Sequence, residues 1–225
     1  MIFHILTSES STNADYGQDC KHRYWPFALA AALALLRLQT CLAAPPSRSP
    51  DTGVEYATQL TPIYSDISLA HQIGTLFPGS ELHLESGGAA SRGRAFSIDG
   101  WFQKGNGTSF FLNQGKRIVV ATLTEPPTDE AKLSEQKDDY GNTWIHARIG
   151  AYVAPSTLAD DQSVVWERAV KLYHMRCSAC HAVHNTKEFT ANQWPGILKI
   201  MAKNAALQPA ELALLTEYLQ THAKP

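Results

Sequence analysis

Apolar and polar positions alternate along "GNTWIHARIGAYVAP", with Ile145, Ala147, Ile149, Ala151 and Val153 each separated by one residue. That period of two predicts a strand with one buried face. Upstream, short apolar alternations are cut by Pro78-Gly79 and by an expected turn at Asp99-Gly100, and "KRIVVATL" reads as a further strand. Short strands separated by glycine-rich turns over residues 53–154 predict a small β-barrel or sandwich. Within that span "EPPTDEAKLSEQKDDYG" is polar and acidic and reads as a long solvated loop. After residue 154 the period changes. Val164, Ala169, Leu172 and Met175 recur at three- and four-residue steps, and Asp160, Asp161 or Ser163 can cap that helix at its start. Trp194, Ile197, Leu198 and Met201 then fall at i, i+3, i+4 and i+7, one helical face. A last helix carries Leu212, Leu215 and Leu219 as its stripe, with Pro209 in the first turn. The pattern predicts an α+β chain in which a β domain at 53–154 is followed by an all-α domain at 155–225.

The first 52 residues follow neither period. Lys21 and Arg23 precede the apolar run "WPFALAAALALLRLQTCLAA", and small residues follow it. A basic flank, a short apolar stretch and an A-x-A-like end describe a secretory signal, here residues 1–43 with a long n-region, cut near Ala43 or Ala44. A linker, 44–52, follows. The run is shorter than a confident membrane span. A buried helix, a lipoprotein signal acylated at Cys41 and an uncleaved membrane anchor are the alternatives, the last opposed by Arg37 inside the run. The expected location is the periplasm. A formal charge of −2 over 225 residues excludes a large nucleic-acid footprint.

Cleavage at that point changes the meaning of the cysteines. The chain has Cys20, Cys41, Cys177 and Cys180. The first two leave with the signal, so the exported chain keeps one pair, in "KLYHMRCSACHAVH". Three chemistries compete for this C-x-x-C-H. Zinc needs four ligands in a tetrahedron. Cys177, Cys180, His181 and His184 could nominally supply them, but one short turn cannot easily aim the adjacent residues 180 and 181 at one ion. A redox dithiol needs its C-x-x-C at a helix start after a strand, whereas here a helix is already under way. Covalent attachment of haem accounts for every part. Thiols three residues apart reach the two vinyl groups, and the next residue offers an imidazole to the iron. Export agrees, since c-type haem is attached outside the cytoplasm. Three helices around one haem c make a small wrapper whose cofactor supplies core that some 60 residues would otherwise lack.

An iron that only carries electrons needs a sixth ligand. His184 and His174 sit on the tether side of the ring. Met201 lies on a separate helix and is the preferred donor, with His222 in reserve; the plain alternative is that Met201 fills core. Trp194 is a haem-packing aromatic or ordinary core. No nucleophile elbow, second metal cluster or phosphate loop is present, so an enzyme is not expected.

The order of turns, "IGTLFPGSELHL" followed by "GWFQ", resembles bacterial SH3-like domains. Roughly residues 55–222 resemble the C-terminal region of the pentahaem c-type cytochromes of trimethylamine N-oxide respiration, through "GKRIVVATL", "GNTWIHARIGAYV", "CSACHA", "FTANQWPGILKIM" and "LLTEYLQTHA". The resemblance implies an SH3-like barrel followed by a monohaem cytochrome c domain. It implies thioethers at Cys177 and Cys180 and axial ligation by His181 and Met201. It also implies delivery of electrons to a periplasmic molybdenum reductase acting on an N-oxide or S-oxide. Those cytochromes carry an upstream tetrahaem membrane part that oxidises quinol. This chain has a single C-x-x-C-H, so the expected electron donor is a separate tetrahaem membrane cytochrome. A competing class is a haem-based sensor or a binding protein whose SH3-like part holds a peptide or cell-wall partner. An open iron position would mark it.

Overall fold

The computed structural model describes residues 53–85 and 92–225. The expected signal sequence and linker, with Cys20 and Cys41, lie outside the described residues. Among the described residues no helix is long and apolar enough to cross a membrane.

Among the described residues ten strands precede three α-helices. The strands are β1 (Val54–Ala57), β2 (Thr61–Tyr64), β3 (Gln72–Leu76), β4 (Glu81–Leu84), β5 (Arg94–Gln103), β6 (Asn106–Asn113), β7 (Lys116–Leu123), β8 (Lys132–Lys137), β9 (Thr143–Val153) and β10 (Leu158–Ala159). The helices are α1 (Gln162–Cys177), α2 (Trp194–Met201) and α3 (Pro209–Thr221). The sheet runs β10-β1-β4-β5-β6-β7-β3-β2-β9-β8, and β5 also pairs with β9. That extra pairing closes β5, β6, β7, β3, β2 and β9 into a six-stranded barrel, leaving β4-β1-β10 and β8 as flanking strands. The fold is α+β, and its barrel is consistent with the SH3-like expectation.

The β5–β9 ladder runs without a slip from Arg94↔Val153 to Gln103↔Trp144. Alternation then points Phe96, Ile98, Gly100 and Phe102 of β5 inward. From β9, Ala147, Ala151 and Val153 are buried, while Ile145 and Ile149 pack against that core half-buried. The predicted stripe of β9 is therefore the core face. Two readings of the pattern fail. Asp99-Gly100 is no turn, because both residues lie within β5. A Cβ at Gly100 would sit 2.7 Å from the Phe110 ring and 2.8 Å from the Phe111 carbonyl. The glycine is there for close approach of β6, and Asp99 takes a two-pronged ion pair from Arg148 across the ladder (2.6 and 2.7 Å). The polar stretch 125–141 is not all loop either. It contains β8, an edge strand almost wholly exposed and so without alternation.

The helices pack on a second apolar cluster formed by Val165, Ala169, Leu172, Tyr173, Trp194, Leu198, Leu214, Leu215 and Leu219. Helix α1 is capped by Asp161, whose carboxylate accepts from the Ser163 amide at 2.8 Å. Its buried face differs from the predicted one. Val165 and Tyr173 are inside with Ala169 and Leu172, whereas Val164 and Met175 are exposed. The buried positions 165, 169, 172 and 173 stand at i, i+4, i+7 and i+8, one helical face, and Val164 and Met175 lie about a quarter-turn away from it.

Two seams join helices and barrel. At the first, Gly79 has φ +81° and lies under the Trp166 ring, which occupies the space a Cβ would need. Gln162 Nε2 donates to the Gly79 carbonyl (2.9 Å), and Arg168 donates to the Thr58 carbonyl (3.1 Å). At the second, Asn192 Oδ1 accepts from the Arg117 amide (2.8 Å) and Asn192 Nδ2 donates to the Gly115 carbonyl (3.0 Å). Gln220 Nε2 bridges the carbonyls of Arg117 (3.0 Å) and Ala191 (2.8 Å). Together these bonds tie the β6–β7 hairpin to the start of α2 and to α3.

Candidate functional site

Helix α1 ends at Cys177, and the Ser178 hydroxyl donates to the His174 carbonyl (2.6 Å), satisfying an end that has no further turn. The chain then leaves the helix as an exposed loop carrying Cys180 and His181. It returns under α1, where the buried Tyr173 hydroxyl donates to the His184 carbonyl at 2.9 Å. Trp194 Nε1 donates to the Thr186 carbonyl at 2.9 Å, so the loop is pinned from α2 as well. Pro195 at the first helical positions then lets α2 start abruptly.

This path brings Cys177, His181, Trp194 and Met201 to one cleft, together with Tyr173, Val183, His184 and Leu198. Cys180 is exposed and does not line it. Both cysteines are free thiols. Burial pushes the Cys177 thiol above its ordinary value, which leaves it protonated at neutral pH. Burial likewise, more than any neighbouring charge, pushes the Tyr173 phenol up to about 12. His181 Nδ1 lies 2.7 Å from its neighbour Ala182's carbonyl. A proton on Nδ1 satisfies that carbonyl and leaves Nε2 as a free lone pair. His184 is taken up otherwise, with Nδ1 2.9 Å from Glu188 Oε2. Edge-on ring contacts run from His181 to His184, Phe189 and Trp194, with centroids 5.4, 5.4 and 5.0 Å apart. His222 lies elsewhere, against Tyr218 and Trp166. Among the described residues no group of three or more His, Cys, Asp or Glu is arranged to hold a bare metal ion.

The donor set suits a haem: a thiol, an imidazole and a thioether around an apolar cleft, with a second thiol on the adjoining loop. The room does not yet suit it. The cavity holds about 10 Å³, room for one water at most. Its walls must therefore part to accept a planar group. Sequence reasoning, which reads Tyr173 as core, missed its hydrogen bond and missed Asn192 and Gln220 as parts of this assembly. Asn192 lies inside the recognised "ANQWPG" but had no role there. Nothing local marks the Tyr173 bond or Gln220.

A six-stranded barrel joined to three helices, with a C-x-x-C-H loop opening on an apolar cleft, defines a c-type cytochrome chain of mixed architecture. Residues 51–158 match the family model described as the TorC third cytochrome c domain. The resemblance to the c-type cytochromes of trimethylamine N-oxide respiration, an electron-transport family, is borne out. The chain is similar to the cytochrome c-type protein TorY of Escherichia coli O157:H7, 30% identical over 155 residues that cover 68% of this chain and 42% of that one. It is also similar to the TorY of Haemophilus influenzae, 28% identical over 130 residues, 57% of this chain and 35% of the relative. The chain thus spans about two fifths of the length of these curated relatives. No solved structure matches. The family match covers the strands and contains no cysteine; the C-x-x-C-H follows it in the chain.

Proposed function

We propose that this chain is a periplasmic monohaem c-type cytochrome, not an enzyme. In this reading it accepts electrons from a tetrahaem quinol-oxidising membrane cytochrome and passes them to a periplasmic molybdenum reductase of N-oxide or S-oxide type. Residues 53–154 would be the SH3-like docking domain and 155–225 the all-α haem domain. The observation that carries the reading is the shared cleft of Cys177, His181, Trp194 and Met201.

In this reading Cys177 and Cys180 would hold the haem through thioethers. His181 would offer Nε2 to the iron while the Ala182 carbonyl accepts from its Nδ1, and Met201 would offer its thioether from α2. Haem c, when bound, supplies a one-electron ferric/ferrous couple. Trp194, 1% exposed, and the buried Tyr173 keep water from the cleft. A soft, neutral thioether favours ferrous iron more than a second imidazole does, so a His/Met centre sits above the potential of bis-histidine haems. Flow into this chain from such a donor is then downhill.

The test is reconstitution with the quinol-oxidising cytochrome and the molybdenum reductase of the same source. Adding the haem-loaded chain should be required for quinol-dependent reduction of the terminal substrate. Undiminished turnover without it contradicts the relay.

A further inference from the structure

On the reading just given, the closed cleft must open to take up its cofactor, and its walls are not held equally. The start of α2 is braced from outside the cleft. Asn192, two residues before Trp194, bonds in both directions to the β6–β7 hairpin, at 2.8 Å from the Arg117 amide and 3.0 Å to the Gly115 carbonyl. The buried Gln220 of α3 holds the same hairpin through the Arg117 carbonyl and the same segment through the Ala191 carbonyl. Trp194 Nε1 then fixes Thr186. Two other segments that line the cleft have no such support. From Ser178 to Val183 the hydrogen bonds outside regular helix run to the end of α1 or within the loop itself. Between Ala202 and Leu207 the backbone bonds are local. That turn contains Ala206 at φ +49°, a left-handed conformation that a side chain disfavours.

We infer that Asn192 and Gln220 are positioning residues for the cleft. They make the Trp194 end of α2 a fixed wall, set by the barrel. The Ser178–Val183 loop and the 202–207 turn form the wall that moves when haem is taken up. The barrel is on this account part of the haem site's frame. It holds the wall against which the cofactor is seated.

Amide hydrogen exchange of the full chain, produced with and without c-haem maturation, tests this. Loading should slow exchange at least tenfold in peptides covering 178–183 and 202–207. Peptides covering 189–194 and 113–117 should already be protected and change less than twofold. In the Asn192→Ala, Gln220→Ala double variant, 189–194 should be unprotected without haem and gain protection on loading. The fixed wall is overturned if 189–194 in the wild-type chain responds as strongly as 178–183, or if the unloaded chain shows no protection there. It is equally overturned if the double variant leaves 189–194 protected. If no haem mass is gained, the reading of the previous section falls and this one with it. If mass is gained and 189–194 responds, only this one falls.

Discussion

At the residue scale, the proposed ligand Met201 would decide what the iron can do. It lines the same cleft as His181 and is half-buried. Met201→Ala should open the sixth position, giving a high-spin spectrum and carbon monoxide binding. Met201→His should keep six ligands and lower the potential by more than one tenfold step, about 59 mV for one electron. The weak near-infrared sulfur-to-iron band should be present in the ferric wild type and absent from both variants. Its persistence in Met201→Ala would make Met201 a core residue only. Tyr173 acts differently. Its hydroxyl satisfies the His184 carbonyl inside the protein, so Tyr173→Phe should cost about 1 kcal/mol of stability in chemical denaturation. Of these two, the helical face of Met201 was legible in the sequence from its spacing to Trp194, Ile197 and Leu198. Tyr173 was legible as core, but its hydrogen bond was not, because the partner is a backbone carbonyl 11 residues away in a loop with no period.

Among the elements, the β3–β4 turn and α3 show how the two halves of the chain constrain each other. Gly79 combines a left-handed φ with a tryptophan ring in contact. Gly79→Ala should therefore destabilise the protein by about 2–4 kcal/mol, since backbone strain and overpacking add; thermal unfolding would show it. On α3, burial holds the Glu217 carboxyl well above its ordinary range. Its protonated form is favoured in the folded protein. The stability it leaves intact at low pH is lost as pH rises from the ordinary carboxylate range through the folded value. Glu217→Gln should be more stable than wild type at pH 7–8 and show a flatter dependence between pH 5 and 8 in urea unfolding. A variant equal to or less stable than wild type at pH 8 would contradict this.

Elements with one buried face, such as β9, α2 and α3, were readable from their periods. Three features were not, and each has a physical cause. Helix α1 also carries exposed apolar residues, Val164 and Met175, beside its buried face of Val165, Ala169, Leu172 and Tyr173, so the apolar pattern alone did not single out that face. Strand β8 is an exposed edge with nothing to alternate. Gly100 carries a turn signal but serves the approach of Phe110.

For the molecule as a whole, the core of the barrel is self-contained. The cluster built from Ile63, Leu76, Phe96, Ile98, Phe110 and Val153 includes no residue of the three helices. A fragment ending at residue 160 should keep a cooperative β fold by circular dichroism. The helical remainder, about 65 residues, should not fold alone without its cofactor, because so short a chain buries too little surface. A cooperative transition in the isolated, unloaded helices would refute this. The same contrast explains which part of the function could be read directly. The C-x-x-C-H is local chemistry, visible in five residues. The seam formed by Asn192 and Gln220 joins positions 75 and 103 residues apart in sequence, and only the folded chain brings them together.

The central claim is covalent haem at Cys177 and Cys180, and the mass of the denatured protein tests it most directly. Produced with c-haem maturation machinery, the chain should carry one haem's added mass and stay red through acid-acetone extraction. Cys177→Ala, Cys180→Ala should lose both. Haem that extracts completely, or stoichiometric zinc with no haem, would contradict the account.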